Sequence, residues 1–177
     1  MTPTNFEVAL LKGSVGEAIV RTYLEARGWV VYQPMTEGAH CFDMLSIKGK
    51  RNAIALDIKA KARLNKFPAT GVNERHFQEY KAFSEKHSMP FWIVFVDEGM
   101  RKIYGNTLEE LEKPKFEDGR NYPLLPNWKV PTRLWPLSAM KLIADLNDEE
   151  VYRLSQHNQR NYSYQPSHKD TWAGAAQ

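Results

Sequence analysis

The chain has 177 residues, which suits one domain with a buried core of its own and little more than a small appendage. Apolar residues make up 42% and charged residues 25%, a balance that excludes disordered and fibrous classes. The net charge is +3, from 24 basic and 21 acidic residues, too mild a surplus to identify a polyanionic partner by itself.

Cys41 is the single cysteine, which excludes an internal disulfide and a cysteine-built zinc site. That fits a reducing, cytoplasmic setting. The opening "MTPTNFEVALLKGSVGE" lacks a basic stretch followed by an apolar run, so no signal peptide is expected. No run approaches the ~18 apolar residues of a membrane span.

Residues 5–27 carry Val8, Leu11, Val15, Ala18, Ile19, Tyr23 and Ala26 at spacings of three and four, which predicts a helix with one apolar face. Gly28 stands where a helix-ending glycine belongs. "WVVYQP" (29–34) reads as a short strand closed by Pro34. Residues 41–47 and 53–60 read as hairpin strands joined by "KGKRN". "FPATGVN" (67–73) reads as loop. Residues 73–88 form a second amphipathic helix, with Asn73 as N-cap and Phe77, Tyr80 and Phe83 on its apolar face.

"FWIVFVDEG" (91–99) is the most apolar strand and is expected at the centre of a sheet. "RKIYG" reads as a short edge strand, and 107–113 as two helical turns. From Lys113 to Pro136 five prolines fall close together, which predicts irregular chain pinned by Trp128 and Trp135. Residues 138–158 return to helical spacing and read as two short helices, and 159–177 as a flexible tail. The order predicts an α/β (α+β) domain, a mixed central sheet flanked by helices.

The hairpin carries the chemistry. Strand side chains alternate between faces. Ile54, Leu56 and Ile58 point one way, to a core, and Ala55, Asp57, Lys59 and Lys61 point the other. Asp43 lies on the partner strand, where the turn can bring it near Asp57. Two carboxylates placed so make a hard oxygen site suited to Mg²⁺ or Mn²⁺, with a neighbouring backbone carbonyl and waters completing the shell. A lysine held beside such a cation fits phosphodiester hydrolysis. The bland alternative is a solvent-facing Asp57–Lys59 salt pair. A D/E-x-K triplet is a weak signal, and Glu79-Tyr80-Lys81 is a second one on a predicted helix, where its acid and base do not face each other.

Three segments together, "KGSVGEAIV", "FDMLSI" and "ALDIKAK", resemble the PD-(D/E)xK nuclease superfamily, which includes restriction endonucleases and archaeal Holliday-junction resolvases. The resemblance covers residues 5–105. It implies a restriction-endonuclease-like αβββαβ core, here 1–112; the Pro/Trp-rich segment and helices over 113–158 lie outside the resemblance and read as a C-terminal extension packed on the core. It further implies that Asp43, Asp57 and the carbonyl of Ile58 ligate the metal, that Lys59 positions the attacking water, and that Glu17 acts on the metal directly or through water. Phe42 stands where the superfamily pattern has proline.

Glu17 has a second reading. Ser14 and Glu17 fit a capping box, which alone would account for the glutamate. Against it, the apolar stripe runs unbroken from Val8 to Ala26, and Gly13 and Gly16 then fall mid-helix at a cost of ~1 kcal/mol each. Such a cost is acceptable where backbone must approach a sheet or a ligand.

The expected partner is DNA, with Lys12, Lys61, Arg63 and Arg75 as contacts, Lys48, Lys50, Arg51 and Lys66 as a wider basic rim, and a homodimer as a family possibility. The "KGKR" turn reads equally well as merely solvated. A loop from Phe67 to Phe77 is a further candidate for approaching DNA. Tyr122, Trp128 and Trp135 could stack on bases, but packing is the favoured reading for aromatics among prolines. His40 is expected to have no site role, and Cys41 to be a small buried apolar residue. The resulting expectation is a metal-dependent deoxyribonuclease. The alternative is a nuclease-fold protein that binds nucleic acid or a protein partner without cutting.

Overall fold

The computed structural model describes residues 4–35, 40–64, 68–113, 124–125 and 130–158. Helix α1 (Asn5–Glu25) starts at a capping box between Thr4 and Glu7 and runs unbroken, and Gly28 turns the chain at φ +78°. Strands β1 (Val30–Tyr32), β2 (Met44–Lys48) and β3 (Asn52–Ala60) follow, then β4 (Ala69–Asn73) and helix α2 (Glu74–His87). Asn73 caps α2, its side chain accepting from the Arg75 N–H at 3.0 Å. Strand β5 (Phe91–Asp97), strand β6 (Lys102–Thr107) and helix α3 (Leu108–Glu112) complete the first part. Strands β7 (Leu124–Leu125), β8 (Thr132–Pro136) and β9 (Lys141–Asp145) and helix α4 (Asp148–Ser155) make the second.

Six strands form one sheet in the order β1-β2-β3-β5-β6-β9. Only β3 and β5 pair in parallel; the other neighbours are antiparallel. The sheet is therefore mixed, with α1 and α4 on one face and α2 on the other. On the first face Ile19, Val20 and Leu24 pack with Met44, Leu56, Ile58, Val94 and Leu154. On the second, Phe77 and Tyr80 pack with Ala55, Phe91, Phe95, Tyr104 and Trp135. The order helix, three strands, helix, strand agrees with the expected core. It is consistent with a restriction-endonuclease-like fold.

Four local readings are corrected. Residues 67–73 are not all loop: β4 pairs with β8 and β7 in a small second sheet. Gly71 serves that pairing, because a Cβ there would run into the carbonyl of Arg133. Residues 132–136, expected to be irregular, supply β8. Residues 138–158 hold one strand and one helix after a 3₁₀ turn, not two helices, and β9 covers the open side of β6. Strand β6 is thus interior to the sheet. On the second hairpin face, Ala55 and Asp57 are both buried.

Trp135 is packed as favoured. It is 1% exposed, its ring lies tilted against Phe77 with centroids 5.6 Å apart, and its Nε1 donates to the Leu111 carbonyl at 3.0 Å. Trp128, Tyr122, Lys66 and the expected tail at 159–177 lie outside the described residues. Among the described residues no helix is long and apolar enough to cross a membrane.

Candidate metal and phosphodiester site

The β2–β3 register sets Met44 opposite Leu56 and Leu45 opposite Ala55. Asp43 stands just before β2 and lines one cavity with Asp57. Two contacts lock Asp43 there. Its N–H donates to the Leu56 carbonyl at 2.8 Å, and its Oδ2 accepts from the Ile58 N–H at 2.6 Å.

Asp57 is 4% exposed. Its Oδ1 accepts from Lys59 Nζ at 2.8 Å, and its buried Oδ2 has no hydrogen-bond partner among the described residues. The two side chains share one strand face, two residues apart. The expected Asp57–Lys59 pair therefore exists, but it is not the solvent-facing pair of the bland reading.

Electrostatics tie Glu17 to the same place. Burial, then the negative charge of Asp43, push its carboxyl up to about 6, Lys59 opposing and Asp57 adding to the rise. Its only described hydrogen bond is a long one, from Gln33 Nε2 at 3.4 Å. Ser14 does not cap a helix start; its hydroxyl donates to the Leu10 carbonyl within α1. The capping-box reading of Glu17 is thereby overturned. Burial and the charge of Asp57 also push Asp43 up to about 6. Like charge among the three acids thus adds to burial in raising Glu17 and Asp43.

Two cavities meet at this point. One, of about 310 Å³, lies on the α1 side and includes Gly13, Ser14, Glu17, Asp43, Lys59 and Lys61 in its lining. The other, of about 350 Å³, lies on the α2 side and includes Asp43, Asp57, Lys59, Arg75, His76 and Tyr80. Asp43 and Lys59 belong to both. Gly16 lets α1 come this close: a Cβ there would stand 2.7 Å from the Cβ of Ala60 on β3.

The expected nucleic-acid contacts divide. Arg75 is exposed, lines the α2-side cavity, and meets His76 Nε2 at 3.1 Å. Lys61 reaches the α1-side cavity and donates to the Gly71 carbonyl. Burial and the Lys59 charge bring it down to about 8. Lys12 and Arg63 turn inward instead. Lys12 is buried in an ion pair with Glu98 and bonds Asn158 at 2.6 Å. Arg63 is 7% exposed, its N–H donating to Asp97 Oδ2 at 2.7 Å and its Nη1 to the Leu64 carbonyl at 2.7 Å. Both lysine and arginine serve the interior, because acids and carbonyls there need donors. Lys48, Lys50 and Arg51 are exposed at the turn, about 16 Å along β2 from Asp43.

Reading the sequence missed His76, Glu79 and Tyr80 as cavity residues. The signal was present: residues three and four apart on α2 share a face, and Arg75 and Glu79 are such a pair, 3.8 Å apart. Burial and the charge of Asp57 hold the Tyr80 hydroxyl above the ordinary phenol range. His40 and Cys41, given no role, border the same cavity.

Among the described residues, no three His, Cys, Asp or Glu side chains converge tightly enough to hold a metal unaided. Mg²⁺ does not require that, since it is commonly bound by one or two carboxylates with waters and substrate oxygens for the rest. The Oδ2 of Asp57, without a partner among the described residues, and the like charges around it fit such an ion.

No family model and no curated protein matches the sequence. Among solved structures, the chain is similar to Hjc of Archaeoglobus fulgidus, a Holliday junction resolvase from an archaeal hyperthermophile. The identity is 13%, the TM-score 0.46, and the match covers 68% of this chain and 86% of that one.

Proposed function

We propose that the protein is a divalent-metal-dependent nuclease that hydrolyses phosphodiester bonds of DNA. The observation that carries this reading is that Asp43, Asp57 and Lys59 line one cavity beside the β2–β3 hairpin, with Lys59 bonded to Asp57. Asp43, Asp57 and the Ile58 carbonyl would hold Mg²⁺ or Mn²⁺, with Glu17 reaching it directly or through water. When bound, the cation would polarise the phosphodiester and lower the pKa of its water.

The residues of the chain then divide the work. The backbone N–H of Ile58 fixes Asp43, so the carboxylate keeps one orientation. Lys59, bonded to Asp57, would orient the attacking water and offset charge on the phosphoryl oxygens. Arg75, at the mouth of the α2-side cavity, contacts a neighbouring phosphate. In the reaction, water oxygen bonds to phosphorus, one ester P–O bond breaks, and the leaving alkoxide takes up a proton.

The test is a cleavage assay on single-stranded, duplex and branched DNA, and on RNA, with Mg²⁺ or Mn²⁺. The wild type should cut a DNA form only with the metal, and Lys59→Ala should abolish cutting. Failure of the wild type to cut every form would overturn the proposal.

A further inference from the structure

Two glycines interrupt α1, and only one is explained by packing. Gly16 is required by Ala60. Gly13 meets nothing described within 4 Å of where its Cβ would stand, and its backbone angle is not left-handed. In a helix interior it costs ~1 kcal/mol against alanine. The open space beside it is the α1-side cavity, which it shares with Glu17, Asp43, Lys59 and Lys61.

Gly13 also belongs to a stripe. Phe6, Leu10, Gly13 and Glu17 follow one another at spacings of four, three and four, so they share one face of α1. Phe6 is 70% and Leu10 54% exposed, although both are large and apolar. The stripe rises about 16 Å from Phe6 to Glu17. It therefore runs from an exposed aromatic ring, past a gap, to the carboxylates, with Lys59 beside the gap. A sugar–phosphate backbone matches this sequence of features: a cation and missing bulk for a phosphate, a flat ring for an unpaired base.

Building on the nuclease reading, we propose that this stripe is the track on which a single nucleic-acid strand reaches the aspartates. Gly13 leaves room for the backbone and Phe6 supports an unpaired base. The substrate class that follows is a strand with unpaired bases next to the scissile phosphate.

The test measures fluorescence anisotropy of a labelled single-stranded oligodeoxynucleotide, and of its duplex, with Ca²⁺ present. Melting temperatures and sedimentation are recorded for each variant. Gly13→Leu should weaken single-strand binding about tenfold or more, with a melting temperature equal to or above the wild type. Gly13→Ala should fall between. Phe6→Ala should weaken the single strand more than the duplex. The track is overturned if Gly13→Leu binds as the wild type does, or if the wild type binds no single strand. It is also overturned if Phe6→Ala dissociates a dimer and leaves binding intact, which would assign the stripe to a second copy of the chain. Binding with this dependence but no cleavage would sink the nuclease reading and leave the track standing. Cleavage indifferent to Gly13→Leu would do the reverse.

Discussion

Asp43 and Asp57 line one cavity beside the β2–β3 hairpin, one held by the Ile58 N–H and the other by Lys59. Contacts from β3, not local preference, bring Asp43 to its place: its N–H donates to the Leu56 carbonyl and its carboxylate accepts from Ile58. Burial, then Asp57, raise Asp43 from 3.8 to about 6. Burial, then Asp43, raise Glu17 from 4.5 to about 6. A carboxyl raised in the fold favours the folded state while protonated. That contribution is present below the unfolded value and lost as pH rises through about 6. Without divalent ions, the wild type should therefore lose melting temperature relative to Asp43→Asn between about pH 4 and pH 7. Added Mn²⁺ should restore it at the upper end. A difference between the two proteins that is flat with pH would contradict this.

Lys59 and the cation should compete for Asp57 Oδ1, where the ammonium now sits at 2.8 Å. Lys59→Met should hence bind Mn²⁺ as well as or better than the wild type. Its cleavage rate should fall by about 10²–10³, the scale for losing one positioned charge-stabilising donor. Loss of metal binding together with cleavage would make Lys59 a structural residue.

The α1 glycines should respond in opposite senses. Gly16→Val must displace Ala60, whose Cβ would be 2.7 Å from the new one, and should destabilise by about 1–3 kcal/mol. Gly13→Ala meets nothing and should stabilise by up to about 1 kcal/mol. Denaturant unfolding of the two variants checks both signs.

Lys12 and Glu98 form an ion pair whose side chains are 11% and 7% exposed. Lys12→Met alone strands a buried carboxylate and should cost about 3–5 kcal/mol. Combining it with Glu98→Gln should recover much of that loss. Equal destabilisation by the single and double variants would contradict the pairing.

The hairpin was legible because strand alternation and a short turn nearly determine register. Helices α1 and α2 were legible from their stripes and from Asn73. What was not legible depended on distant partners. Strand β4 holds Gly71, three residues after Pro68, and reads as loop until β8 lies beside it. Strand β9 reads as helix in the sequence because "KLIAD" is too short to show its period. Yet Asn147 and Glu150 form a capping box that fixes the helix start just after it. Strand β6 was read as an edge for want of β9. Lys12 and Arg63 look like surface cations in sequence, and only the buried acids Glu98 and Asp97 reveal why they turn inward. Glu17 was ambiguous until Thr4, ten residues ahead of Ser14, proved to be the true cap.

Titration calorimetry of Mn²⁺ into the wild type, Asp43→Asn and Asp57→Asn tests most directly whether the two aspartates share one cation. A heat of binding in the wild type that either substitution removes is the expected result. Equal binding by all three proteins, or no binding by the wild type, would contradict the shared site.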